Sequence, residues 1–250
     1  MATRMFPIFM AIITGSVVSS FIYPPKTEKL IIHQQENHAP EVKITSPQDN
    51  SSFGNHAQVT YTITVSDSED GDSKYDEINP REVLLKVRYL KDETKLRTEI
   101  NRKVRNEPAA LESILTSNCF NCHKSVSKSI GPSFYAIRKK YAMTTANIAL
   151  LSKRIRYGST GIWGKTSMPT HPELTKKETQ NIVQWMLQNG ANPDINYYTG
   201  LDGSFRINSR PASKRKAAYI LTAIYIDHGL KDNPSKQRLK GQDVVVVHCR

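Results

Sequence analysis

The chain of 250 residues has three cysteines, and two of them stand within one pentapeptide, Cys119-Phe120-Asn121-Cys122-His123. Three thiols cannot form a disulfide framework, and Cys249 lies one residue from the C-terminus, so the paired thiols are read as serving chemistry rather than stapling a fold. Two thiols spaced by two residues at a helix start reach the two vinyl groups on one edge of a porphyrin. The adjacent histidine is then left beneath the iron to supply an imidazole ligand. A structural zinc site wants a second pair of Cys or His ligands, but there is no second CxxC, and His171 and His228 are isolated. A thioredoxin-like dithiol wants a βαβ setting, whereas these cysteines follow a helical pattern. Chance is the fourth reading, disfavoured by the export signal at the N-terminus, and the pentapeptide alone does not choose among them.

A haem iron held by His123 needs a sixth ligand. Forty-five residues further on, "GIWGKTSMPTHPEL" carries Met168 in a segment punctuated by Gly and Pro. A thioether is soft, suits the iron of an electron carrier and raises its reduction potential. Core packing is the usual fate of a methionine, but a loop between helical segments is not where a core methionine is expected.

Around this centre the chain divides by pattern. Arg4, an apolar run from Met5 to Val18 and small residues up to Ser20 have the layout of a secretory signal over 1–20. The run is shorter than the roughly 20 residues a membrane span requires. The expectation is export to the periplasm or outer surface, with a retained N-terminal anchor as the alternative. Residues 21–40 read as a linker. Over 41–105, the runs "EVKITSP", "AQVTYTITVSD" and "REVLLKVRYL" are β-branched and aromatic, with Val59, Tyr61, Ile63 and Val65 on one face. Short strands with such turns predict a small β-sandwich.

Over 107–190 the pattern is helical. Leu111, Ile114 and Leu115 share a face just before Cys119. "LTKKETQNIVQWMLQNG" has Thr175 and Glu178 as a capping box, Ile182, Trp185 and Met186 on one face, and Gly190 as the stop. Three further strands, "GSFRIN", "AAYILTAIYIDHG" and "QDVVVVHC", fall in 195–250. So few strands do not readily form a sheet alone. They either pair with the N-terminal sandwich or belong to a truncated sugar-binding module. The expected fold is multi-domain: an N-terminal all-β sandwich, a central all-α domain and a short β-rich C-terminal segment.

Residues 108–189 resemble a small bacterial class I c-type cytochrome. A helix runs into "CFNCH", followed by "GPSFYAIRKKY", "WGKTSMP" and an amphipathic helix with Trp185. The resemblance implies one covalent haem c per chain, with Cys119 and Cys122 as thioethers, His123 as proximal ligand and Met168 as distal ligand. It also implies a Gly131–Pro132 turn in which the Pro132 carbonyl accepts a hydrogen bond from the imidazole, and it places Arg154 and Trp163 at the haem propionates. For Arg154, a plain surface cation is an equal reading. Where the family often has an Asn to hold the Met sulfur, this chain has His171, which is read as a donor, a bystander or a competing ligand.

The opening module resembles immunoglobulin-like or polycystic-kidney-disease-type sandwiches that precede cytochrome domains in exported Bacteroidota proteins, some fused to quinone-dependent sugar dehydrogenases. Within it, Asp67, Glu69, Asp70 and Asp72 suit calcium by their clustered carboxylates, but an acidic solvated turn is favoured. His228 is read as a turn residue.

The charge surplus lies with the haem motif: residues 107–250 carry 21 Lys+Arg against 9 Asp+Glu, whereas residues 1–106 are balanced at 14 each. No nucleic-acid recognition motif accompanies it, so the expected contacts are a redox protein, an anionic membrane surface or a carbohydrate. The expected function is electron transfer rather than enzyme catalysis, from a dehydrogenase such as a quinone-dependent one to a respiratory acceptor such as a terminal oxidase. The alternatives are a haem sensor or haem enzyme with a labile distal ligand, and a carbohydrate- or partner-binding module with an accessory haem.

Overall fold

Strict alternation over "QVTYTITVSD" buries every second residue: Val59, Tyr61, Ile63 and Val65 face inward and the intervening Gln, Thr and Ser residues face solvent. In the computed structural model, which describes residues 36–103, 109–190, 192–207, 216–230 and 238–250, this segment is strand β3 (Gln58–Asp67). The expected signal segment and most of the linker lie outside the described residues. The preceding strands are β1 (Glu41–Ser46) and β2 (Ser51–Phe53), and β4 (Gly71–Asp72) and β5 (Leu84–Leu90) follow β3. Five helices come next: α1 (Leu96–Lys103), α2 (Ala109–Thr116), α3 (Phe134–Lys140), α4 (Thr145–Tyr157) and α5 (Lys176–Asn189). The chain ends with β6 (Ile195–Thr199), β7 (Asp202–Arg206), β8 (Ala218–Ile226) and β9 (Lys240–Cys249).

The strands form two sheets, and each draws on both ends of the chain. In the first, β3 pairs with β1 and β4, and also with β7, where Val59 is opposite Phe205. In the second, the order is β2-β9-β8-β5-β6. The strands over 195–250 are therefore no separate extension, and the boundaries drawn at 41–105 and 195–250 give way to one sandwich. The physical reason is pairing demand: β3 has β7 beside the two-residue β4 along its second edge, and β5 finds its neighbours in β6 and β8.

The helical segment sits within that sandwich as an insertion. Strands β5 and β6 are antiparallel neighbours with Arg88 opposite Ile195, so the segment leaves and re-enters at adjacent positions on one sheet. Strand β8 is buried along its whole length, as its continuous apolar run requires. Its Tyr219, Leu221, Ala223 and Tyr225 join the core between the sheets, whereas Ile224 and Ile226, with Leu84 of β5, join the core of the helices. Among the described residues two cores thus share the second sheet. Among the described residues, no helix is long and apolar enough to cross a membrane.

Helix α5 begins at the expected capping box: Thr175 Oγ accepts from Glu178 N at 3.2 Å and Glu178 Oε2 accepts from Thr175 N at 2.7 Å. It ends at Asn189 with Gly190 as the expected stop. Gly190 has φ −60°, not the left-handed conformation of a glycine stop. Glycine is required there by close approach, because an added Cβ would lie 2.7 Å from the Phe134 carbonyl oxygen.

The acidic run is a bonded turn rather than a solvated one. Asp67, which is buried, accepts from the backbone N–H groups of Glu69 and Asp70 at 2.9 and 2.8 Å, and Asp72 accepts from Lys74 N at 2.7 Å. Among the described residues, no group of three or more His, Cys, Asp or Glu could hold a metal ion. Histidines face this run: His38 Nδ1 lies 2.8 Å from Glu69 Oε1, and the ring nitrogens of His228 lie 3.1 Å from Asp70 and 3.1 Å from Glu82, while Tyr225 donates to Asp70 at 2.7 Å. His228 thus ties three segments together.

Pairing with Glu82, with the Asp70 charge adding to it against the opposing effect of partial burial, pushes His228 up to about 9 from 6.5. A raised pKa in the folded state stabilises the fold fully below the unfolded value and is lost as pH rises through the folded one. The unfolding midpoint is therefore expected to fall between pH 6.5 and about 9. His228→Gln should flatten that part of the profile, measured by thermal unfolding across the range.

Candidate functional site

The buried face of α2, made by Ala110, Leu111, Ile114 and Leu115, fixes where the chain leaves the helix. Asn118 then adopts a left-handed conformation, φ 55°, which asparagine tolerates, and opens a 3-10 turn over Cys119–Asn121. Backbone bonds to the Cys119 carbonyl from Cys122 N at 3.3 Å and His123 N at 3.0 Å close the turn. Both thiols and the imidazole are thereby gathered on one turn of chain, and all three cysteines are unpaired.

The loop beyond folds back onto that turn. Gly131 N donates to the Cys122 carbonyl at 2.9 Å, Phe134 N to Lys124 at 3.0 Å and Tyr135 N to Ser125 at 3.0 Å. This brings the Pro132 carbonyl to 2.7 Å from His123 Nδ1. A carbonyl oxygen only accepts, so Nδ1 carries the proton and Nε2 the lone pair. The ring also stacks on Phe134, with interplanar angle 10° and centroids 5.9 Å apart. Burial pulls the His123 pKa below its ordinary value, which outweighs the upward effect of the Pro132 bond, so the ring is held in its neutral form. Glycine is required at 131, where an added Cβ would lie 2.7 Å from His123 Cε1.

Met168 arrives from the loop after α4. It forms a two-bond bridge with Ser159, at 2.9 Å from Met168 N and 3.2 Å from Ser159 N, which ties the base of the loop. Gly158 permits the bridge: its φ is +75° and an added Cβ would lie 2.8 Å from the Met168 carbonyl oxygen.

One cavity of about 330 Å³ brings Cys119, Cys122, His123, Pro132, Arg154, Trp163 and Met168 together, so every residue singled out in the sequence for cofactor binding lines it. Its size falls in the roughly 300–1,000 Å³ range of small-molecule and cofactor sites. Leu151, Ile155, Ile182 and Met186 supply apolar wall. Arg154 donates to the Tyr141 hydroxyl at 2.7 Å, and Trp163 is 38% exposed, with Lys140 Nζ 4.6 Å from its ring centroid. His171 lines the same cavity, with its Nδ1 2.8 Å from Glu173 Oε1. His228 and Cys249 lie elsewhere.

The sequence reading missed Phe134, Lys140, Tyr141 and Ser159. "SFYAIRKKY" contains the first three, but nothing in it says that Phe134 would underlie a histidine eleven residues earlier. The donor set fits an iron porphyrin: two thiols, a neutral imidazole with Nε2 available and a thioether, in an apolar cavity with an arginine and an indole at hand. It does not fit a thioredoxin-like dithiol, which needs a thiol with a lowered pKa, since burial pushes Cys119 up to about 12.

The segment that carries these donors is similar to known proteins. The Cytochrome c family profile matches residues 112–190. Cytochrome c2 of Rubrivivax gelatinosus is 36% identical over 74 residues, covering 29% of this chain and 87% of the relative. Cytochrome c-551 of Azotobacter vinelandii is 35% identical over 72 residues, covering 29% and 87%. The crystal structure of Nitrosomonas europaea cytochrome c552 aligns at 28% identity with TM-score 0.30, over 31% of this chain and 96% of that one.

Gly131→Ala should destabilise the protein by about 1–3 kcal/mol, the usual cost of overpacking. Gly54→Ala, whose added methyl meets nothing within 4 Å, should change stability by less than about 0.5 kcal/mol. Denaturant unfolding of the two variants checks both.

Proposed function

Since the chain belongs to the cytochrome c family through residues 112–190 and binds one haem c covalently there, we propose that it is an exported electron carrier with His123 and Met168 as the axial ligands. The observation that carries this reading is the commitment of His123 Nδ1 to the Pro132 carbonyl, which leaves Nε2 as the ligating nitrogen in a cavity that Met168 also lines. The bound haem supplies a one-electron couple between ferric and ferrous iron.

Cys119 and Cys122 would hold that group to the turn, and the Ser159 bridge would keep the Met168 backbone in place as the charge at the centre changed. Apolar wall excludes water, which favours the less charged, reduced state, and a thioether ligand acts in the same direction. Arg154 and Trp163, which line the same cavity, would bind the propionates. His171, with one ring nitrogen facing Glu173, is a donor or bystander beside the methionine. With His123 and Met168 both ligating, the iron would have no place for substrate, and the protein would act as a carrier rather than an enzyme.

The partner is a redox protein. Residues 113–172, which supply much of the cavity wall, contain nine Lys and Arg and no Asp or Glu, which favours a partner with an acidic docking face. We assign the donor as a dehydrogenase of the quinone-dependent kind and the acceptor as a respiratory one, reached in the periplasm or at the outer surface. The two-sheet sandwich is assigned to the immunoglobulin-like class.

A rival reading makes Met168 labile and the iron a sensor or catalytic site, with His171 of the same cavity as the competing ligand. Ferric-state absorption separates the two. The carrier predicts a methionine-to-iron charge-transfer band that Met168→Ala abolishes, with covalent haem retained and the reduction potential lowered. A high-spin wild-type spectrum, or a band that survives Met168→Ala, contradicts it.

A further inference from the structure

The helical segment does not close its own proximal side. Phe120, between the two cysteines, packs edge-on against Phe134 at 5.5 Å, and Phe134 packs edge-on against Trp185 at 6.0 Å. These three side chains are buried to 5–6% exposure. The fourth member of the group comes from the sandwich: Tyr197 of β6 lies 5.6 Å from Phe120 and 5.5 Å from Trp185, which completes a closed ring of four aromatic side chains. His123 stacks on Phe134, so the imidazole rests on one member of that ring.

A backbone tie acts at the same place. Tyr197 N–H donates to Ser125 Oγ at 3.2 Å, and Ser125 is two residues from His123. The Ser125 carbonyl in turn accepts from Tyr135 N at 3.0 Å, and Lys124 accepts from Phe134 N at 3.0 Å. The loop after His123 is thus held between α3 on one side and a sandwich strand on the other. Strand β6 is itself fixed by five consecutive residue pairs with β5, from Leu84–Thr199 to Arg88–Ile195.

We propose that Tyr197, with the Ser125 hydroxyl as its second anchor, is a positioning residue for the proximal ligand, so that the sandwich sets the redox properties of the haem site. The inference rests on the assignment of His123 as ligand. Truncating Tyr197 removes one wall of the aromatic ring. Phe120 and Phe134 then relax toward the gap, the surface under the imidazole loosens and water gains access to the proximal side. A more polar surrounding favours the more charged ferric state, so the potential falls.

The test uses full-length holoprotein and two readouts, the midpoint potential and the hyperfine-shifted imidazole proton signals of ferric His123. Tyr197→Ala should lower the potential and move those signals, and Tyr197→Phe, which keeps the ring, should restore both. Ser125→Ala, a small change that leaves the core intact, should move them in the same sense by less. Tyr219→Ala, which empties the core between the sheets but touches none of the four rings, should leave both at wild-type values.

The inference is overturned if Ser125→Ala and Tyr197→Ala, both low-spin, keep the wild-type potential and imidazole signals. It is also overturned if Tyr219→Ala shifts them as much as Tyr197→Ala, which would reduce the effect to general loosening. If Tyr197→Ala fails to fold, Ser125→Ala against Tyr219→Ala decides. A wild-type spectrum that is not low-spin refutes the axial assignment itself, and it does so before any variant is compared.

Discussion

The hydrogen bond from His123 Nδ1 to the Pro132 carbonyl is the interaction on which the rest of the site depends. It chooses the tautomer, and the tautomer decides which nitrogen is left for a metal. Its geometry is set from several directions: the turn at Cys119–Asn121 places the ring, Gly131 gives it room and Phe134 lies beneath it. A histidine in water titrates near neutrality and offers either nitrogen. Here burial lowers its pKa and one carbonyl fixes the tautomer.

The sandwich and the helical segment are joined in a way that makes such fixing inexpensive in chain entropy. Antiparallel neighbours β5 and β6 place the two ends of the inserted segment side by side, so it enters and leaves without bridging a gap. The outer face of the second sheet, through Leu84, Ile224 and Ile226, then packs into the helical core. That packing explains the run "AYILTAIYI" in β8, which is apolar on both faces because each face meets a different core.

The site was legible in the sequence because its signals are local. CxxCH, the Gly131–Pro132 turn, the loop carrying Met168 and the Thr175–Glu178 capping box each declare themselves within a few residues, and family resemblance put them in order. The sandwich was legible only in part. Period-two alternation identifies β3 as a strand, but it does not name β7 as the partner 140 residues away, nor show that β5 and β6 pair across the whole insertion. His228 was unreadable for the same reason, since the acidic residues it joins are 146 and 158 positions earlier. Gly190 has the composition of a helix stop but answers a steric demand from Phe134, a contact visible only in three dimensions.

The central claim is that Met168 and His123 together complete the coordination of the haem iron, and the most direct measurement is the methyl NMR spectrum of the reduced, haem-loaded protein. A methyl group held against a porphyrin face is driven far upfield by the ring current. One methionine methyl is expected in that region, assigned to Met168 and not to Met143 or Met186. An upfield methyl from another methionine, or none at all in a diamagnetic reduced sample, would contradict it.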